Sequence, residues 1–173
     1  MELLIGLIVL LIVLLGLAWM SVAAVPEGMH YTVERLGRFQ RVLTPGRRVV
    51  LPFVERVGAR IDVRENLLVM EPQTVATADG QRAIVHLNVV WQVLDVAKAA
   101  YEVADHPTAL QTLVVDTLRS EVASHRLIEL TEDRPARAEA MRREIDGKSR
   151  AWGIAVREVE LANVVTEVVR SGA

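Results

Sequence analysis

Four histidines, His30, His86, His106 and His125, are the first residues to weigh for chemistry, and none lies within four positions of another. A metal centre needs three or four ligands that converge. Scattered single histidines do not supply that, and the chain has no cysteine to complete a set. Gly147-Lys148-Ser149 matches the tail of a phosphate-binding loop, but the glycine required five positions earlier is replaced by Arg142. A tethered hydrolase would need a serine beside a histidine and an acid. The nearest set is Ser120, Glu121, Ser124 and His125. On a helix Glu121 and His125 are i, i+4 neighbours, which favours a plain surface pair. Glu132-Asp133 reads as an acidic helix start that suits the helix dipole. No catalytic, cofactor-binding or metal-ligating residue is therefore expected.

A second cluster is basic: Arg35, Arg38, Arg41, Arg47 and Arg48, with Tyr31 and Phe39 nearby. Such arginines attract anionic head groups or form salt bridges within the protein. Nucleic acid is not expected as a partner, because the formal net charge of the chain is −2.

The elements that must position these residues begin with an apolar leader. Of residues 1–25, 21 are hydrophobic, and Glu2 carries the sole charge. As a helix, residues 3–25 would span about 34 Å at 1.5 Å per residue, enough for a bilayer core of ~30 Å. Trp19 sits where an indole favours the interface. Met1-Glu2 lacks the basic start of a signal peptide, so a retained anchor is expected over a cleaved leader. Arg35, Arg38 and Arg41 within about 20 residues of the span place the following domain in the cytoplasm. The remaining chain, at 173 residues in total and 51% hydrophobic overall, is one ordinary globular domain.

Short β-type runs follow at residues 29–35, 39–43, 47–53, 57–63 and 67–70. Gly37 and Pro45-Gly46 mark turns between them. Asp79-Gly80 marks a hairpin whose second arm, residues 83–94, alternates with Val85, Leu87, Val89, Trp91 and Val93 on one face. Asp95 can cap a short helix to about Val103. Pro107 opens a longer one with Leu110, Leu113, Val114, Thr117, Leu118 and Val122 on its core stripe. Thr131 heads a charged helix, in which Glu139 and Arg143 form an i, i+4 pair. Residues 154–162 alternate as a last strand. The expected class is α+β: a mostly antiparallel sheet with packed helices.

Val25-Pro-Glu-Gly-Met-His-Tyr-Thr-Val-Glu-Arg-Leu-Gly-Arg38 resembles the opening of the stomatin/prohibitin/flotillin (SPFH, or Band 7) family. The resemblance continues through Leu43-Thr-Pro-Gly46, Leu51-Pro-Phe53, Arg60-Ile-Asp-Val-Arg64, Thr77-Ala-Asp-Gly80, Ala99-Ala-Tyr101, Thr117-Leu-Arg-Ser-Glu121, Trp152-Gly-Ile154 and Val159-Glu-Leu161. It is nearest to the bacterial stomatin-like subgroup. It implies an N-terminal transmembrane helix at 1–25, an SPFH domain at 26–163 and a short tail at 164–173. The long coiled-coil helix that usually follows in the family has no room in that tail.

The resemblance also implies a non-enzymatic, single-pass membrane scaffold. Such proteins form lateral homo-oligomers, organise membrane lipid and contact membrane proteins, among them NfeD-type partners and AAA membrane proteases. An accessory protease subunit is the alternative; a hydrolase using Ser124 and His125 is the less favoured one. Trp19, Arg35, Arg38, Arg41, Arg47, Arg48, Leu51, Pro52 and Phe53 are the lipid-contact candidates. For Phe53 a place in the domain core is an equal alternative. The charged helix offers Arg134, Arg137, Glu139, Arg142, Arg143 and Glu144 as oligomer-contact candidates, or as an ordinary solvated face.

Overall fold

The computed structural model describes residues 1–166, without the side chains of Glu2, Val13, Leu14, Leu17, Ala18, Met20 and residues 163–166. The order is helix α1 (Glu2–Met20), eight strands, four helices and a closing strand. The chain forms two compact units, residues 1–63 and 64–173, where the sequence suggested one body after the leader.

α1 is shorter than expected. It stops at Met20, and the four apolar residues Val22–Val25 form strand β1 instead of the last helical turn. The cause is pairing. β1 lies antiparallel to β4 (Gly46–Val49), with Val22 opposite Val49 and Val25 opposite Gly46. Val25 is buried in the core of the first unit with Tyr31, Val33 and Leu43, while Ala23 and Val50 pack on that cluster. Tertiary packing has thus overridden hydrophobic continuity. The 19 helical residues rise about 28 Å. Among the described residues no helix is long and apolar enough to cross a membrane.

The rest of the first unit is a three-stranded antiparallel sheet in the order β3-β2-β5 (Arg38–Leu43, Met29–Arg35, Glu55–Asp62). The run at residues 47–53 is a strand only to Val49; a loop follows because Pro52 has no N–H to pair.

The second unit is a sheet centred on β8 (Arg82–Val93). One edge of β8 carries β6 (Glu65–Val69) at residues 88–92 and β7 (Gln73–Ala76) at residues 82–85. The other edge carries β9 (Ile154–Thr166), antiparallel and 13 residues long. Burial alternates along β8 as the sequence pattern predicts: Val85, Leu87, Val89, Trp91 and Val93 are all buried. α2 (Val96–Tyr101) is capped by Asp95, whose carboxylate accepts from the Ala97 and Lys98 N–H groups. α3 (His106–Ser124) buries Leu110, Val114, Thr117, Leu118 and Val122, five of the six stripe positions.

The next helix differs from expectation. Thr131 lies inside a six-residue helix α4 (Leu127–Glu132), and α5 (Arg134–Ser149) starts three residues later. The Glu129 carboxylate accepts from the Arg126 N–H at 3.1 Å and fixes the α4 start. Asp133 leaves helical geometry and separates the two. Met141 and Ile145 anchor α5 to the sheet. A short 3-10 turn, Arg150–Trp152, then leads to Gly153 at φ 74°. That glycine's carbonyl accepts from the N–H groups of Leu94 and Asp95, tying the start of β9 to the α2 cap.

Candidate functional site

In the first unit, several sequence candidates gather at one end of the β3-β2-β5 sheet. Arg35 and Arg38 face each other across the β2–β3 hairpin, leaving Leu36-Gly37 as a two-residue loop. Both loop residues have positive φ, 51° for Leu36 and 80° for Gly37. This is the backbone of a type I′ turn, which ordinarily takes Asn-Gly. Gly37 fills its turn position as the sequence suggested; Leu36 pays strain for the other. On β5 the residue opposite Arg35 is Glu55, so the preceding loop, residues 50–54, sits beside the hairpin tip. Leu36, Gly37, Phe53 and Val54 line one open hollow there.

A buried carboxylate organises this loop. The Glu55 side chain is 1% exposed. Its Oε2 accepts from the Leu51 N–H at 3.0 Å, and the Glu55 N–H donates to the Leu51 carbonyl at 2.9 Å. Arg41 donates to both Glu55 oxygens at 2.9 Å and to the Val49 carbonyl at 2.9 Å. The Leu51 N–H above all, and then Arg41, hold the carboxyl below its ordinary value of 4.5 despite its burial. Val50 donates its N–H to the Ser21 carbonyl at 2.7 Å. The loop therefore begins where α1 hands over to β1.

These contacts sort the basic candidates. Arg41 is occupied by Glu55, so it takes the salt-bridge role rather than facing a head group. Arg48 donates to the Thr44 carbonyl at 3.2 Å and to its hydroxyl. Arg47 lies exposed on β4. Arg35 and Arg38 form no ion pair among the described residues, since the acids beside them are taken: Glu34 by Arg56 at 2.7 Å and Glu55 by Arg41. Phe53 is 88% exposed, which overturns its alternative place in the core. Leu51 and Trp19 are exposed as well, and Pro52 is half-buried. Sequence reasoning missed Leu36 and Glu55. A leucine in the first position of a two-residue turn was the readable signal for Leu36. Nothing local marked Glu55, whose partner Arg41 lies 14 residues away.

In the second unit α5 spends its charges on itself. Arg142 grips Glu139 with two bonds of 2.7 Å, a shorter pair than Arg143 to Glu139 at 3.7 Å. Glu144 pairs with Lys148 at 2.7 Å. Asp146 accepts from the Val156 N–H on β9 at 3.0 Å. Arg134, Glu139 and Arg142 face Arg157, Glu158 and Glu160 across a groove between α5 and β9. Arg137 is drawn to α3, 3.4 Å from Glu121 and 2.6 Å from His125 Nε2.

That last bond decides the serine–histidine set. Guanidinium can only donate, so His125 Nε2 accepts and Nδ1 carries the proton. Nδ1 lies 2.9 Å from Ser124 Oγ and 2.8 Å from the Glu121 carbonyl. A protonated nitrogen cannot take the hydroxyl proton, and Ser124 already donates to the Glu121 carbonyl at 2.8 Å. The arrangement is a helix-end lock. The adjacent Thr77–Gln81 turn joins it, as the Ala78 N–H donates to the His125 carbonyl at 2.9 Å. Among the described residues no three His, Cys, Asp or Glu side chains group as metal ligands.

Residues 23–171 match the model of the SPFH domain / Band 7 family. The chain belongs to the SPFH/Band 7 family. The SPFH match begins within β1, which agrees with Val22–Val25 being part of the folded unit rather than of α1. An uncharacterized protein of Mycobacterium tuberculosis is 31% identical over 144 residues, 83% of this chain and 38% of the relative. One from Methanothermobacter thermautotrophicus is 29% identical over 157 residues, 91% of this chain and 49% of its own length. Human stomatin-like protein 2, mitochondrial, is 27% identical over 140 residues, 81% and 39% of the two chains. The SPFH chain thus spans less than half the length of these relatives.

Proposed function

We propose that this chain is a membrane-anchored, stomatin-like scaffold that acts by lateral assembly and by contact with lipid and other membrane proteins. The observation that carries the reading is family membership combined with an uncharged leader joined directly to the domain. Residues 3–20 hold no charge. A rise of about 28 Å falls roughly 2 Å short of a ~30 Å hydrocarbon core, a mismatch that local thinning absorbs. The domain then lies on the cytoplasmic side, following its arginines. The α5 residues Arg134, Arg137, Glu139, Arg142, Arg143 and Glu144 are the proposed subunit contact, with the α5–β9 groove as its centre. The chemistry of His125 supports a scaffold over a hydrolase, because its ring is committed to Arg137.

Alkaline carbonate extraction of membranes from cells expressing the full chain tests the anchor. Retention in the pellet supports it; release into the supernatant contradicts it. Affinity capture from the same membranes reads the partner. Self-association supports the scaffold, whereas one stoichiometric protease in place of other copies points to an accessory subunit.

A further inference from the structure

The hairpin tip and the neighbouring loop show three departures from what folding alone requires. Leu36 and Phe53 are the two non-glycine residues with positive φ among those described, at 51° and 70°. Bulky side chains seldom adopt that conformation. Both are exposed, 85% and 88%, so neither repays the strain through packing in the unit. The third departure is electrostatic. Arg35 and Arg38 are direct cross-strand neighbours of like charge, an unfavourable pairing with no ion-paired acid to offset it. Strain and unmet charge concentrated at one point suit a ligand rather than the fold.

The position selects the ligand. The Ser21 carbonyl, one residue past α1, is bonded to Val50 at the start of the loop that carries Phe53. Glu55 and Arg41 hold that loop from beneath, so Phe53 and Val54 project beside Leu36. Apolar tips ringed by arginines match the layered chemistry of a bilayer surface: acyl carbon below, phosphate above.

We infer that the Leu36 and Phe53 tips form an anionic-lipid docking wedge, the apolar side chains entering the interface and Arg35 and Arg38 taking head-group phosphates. The inference rests on the proposed anchor for its orientation and deepens that reading by naming a second membrane contact. Each arginine near an anionic surface changes the docked-to-undocked ratio about fivefold, and both together on the order of twenty-fivefold.

The absence of cysteine makes the test direct. Full-length Leu36→Cys, Phe53→Cys and Glu27→Cys variants, each labelled with an environment-sensitive fluorophore, are reconstituted into phosphatidylcholine vesicles with or without phosphatidylglycerol. Glu27 is the control. It precedes β2 at the far end from the tip, about 20 Å away at ~3.3 Å per residue. Docking predicts a shift to shorter emission wavelength at 36 and 53, several-fold stronger quenching by lipid-borne nitroxide there than at 27, and a larger effect with phosphatidylglycerol. The double change Arg35→Gln, Arg38→Gln should remove the gain from phosphatidylglycerol. Labels at 36 and 53 as open to aqueous iodide as the label at 27 overturn the inference. So does a wavelength shift without nitroxide quenching, which places the tips against protein. Carbonate extraction of the same vesicles reads the anchor separately. A chain that is released loses the anchor reading alone, and the same two labels still decide the wedge.

Discussion

Replacing Leu36 by asparagine should stabilise the first unit while weakening its hold on lipid. A non-glycine residue in the left-handed region costs roughly 1–2 kcal/mol, and asparagine tolerates that region far better than leucine. The change also creates Asn-Gly, the favoured pair for this turn. The loss is small, because Leu36 is 85% exposed and buries only a minor part of the ~2 kcal/mol that full burial of a leucine is worth. The net gain is about 1 kcal/mol. For a unit of this size that is ~4–8 °C in midpoint. Hydrogen exchange of the Arg38 and Val42 region in detergent-solubilised full chain, with calorimetry beside it, measures the effect where it acts. Leu36→Ala is the control: it removes the apolar bulk but keeps the strain, so its stability should stay near that of the parent. A loss of stability in Leu36→Asn would show that the leucine packs against something, and would refute the strain argument on which the wedge depends.

Glu55 gives a pH signature. Its carboxyl is lowered in the folded unit, so the stability it confers is complete above its ordinary value of 4.5 and is lost as pH falls through the lower folded value. Exchange at the Leu51 N–H should accelerate below about pH 4.5, and Glu55→Gln should exchange faster at pH 7 and lose that acid dependence. His106 carries the opposite group type. Desolvation lowers it from 6.5 against the pull of Asp105, so the unfolded chain binds more protons and stability of the second unit should drop as pH falls below 6.5. His106→Gln should flatten that slope in denaturant titrations. In Gly153→Ala the new Cβ would stand 2.4 Å from the Asp95 carbonyl at φ 74°; a loss of at least ~1–3 kcal/mol is expected by chemical denaturation. Leu118→Ala should cost ~2–5 kcal/mol, since the side chain is 1% exposed on the core stripe of α3.

Local rules carried much of this fold. The alternation along β8, the Asp95 cap, the Pro107 start and the five buried stripe residues of α3 follow from neighbours in sequence, and each was readable. The misses have a common physical origin in long-range contacts. The leader's last residues, Val22–Val25, look like more helix until β4 arrives to pair with them. The division after Val63 and the early start of α4 depend on packing and capping that hydrophobic periodicity does not encode. At the candidate site, Arg35, Arg38 and Phe53 were visible by type and place. Arg41 was assigned to the wrong contact because its acid partner is buried 14 residues on. Leu36 broke the turn rule and was passed over as an ordinary apolar residue.

The central claim is that the chain works by assembling on a membrane rather than by turning over a substrate. The native mass of the detergent-extracted, full-length protein, corrected for bound detergent, tests this most directly. A discrete multimer that charge reversal at Arg142 and Glu139 weakens is the predicted result. A monomer at every concentration in detergent and in nanodiscs would contradict the account.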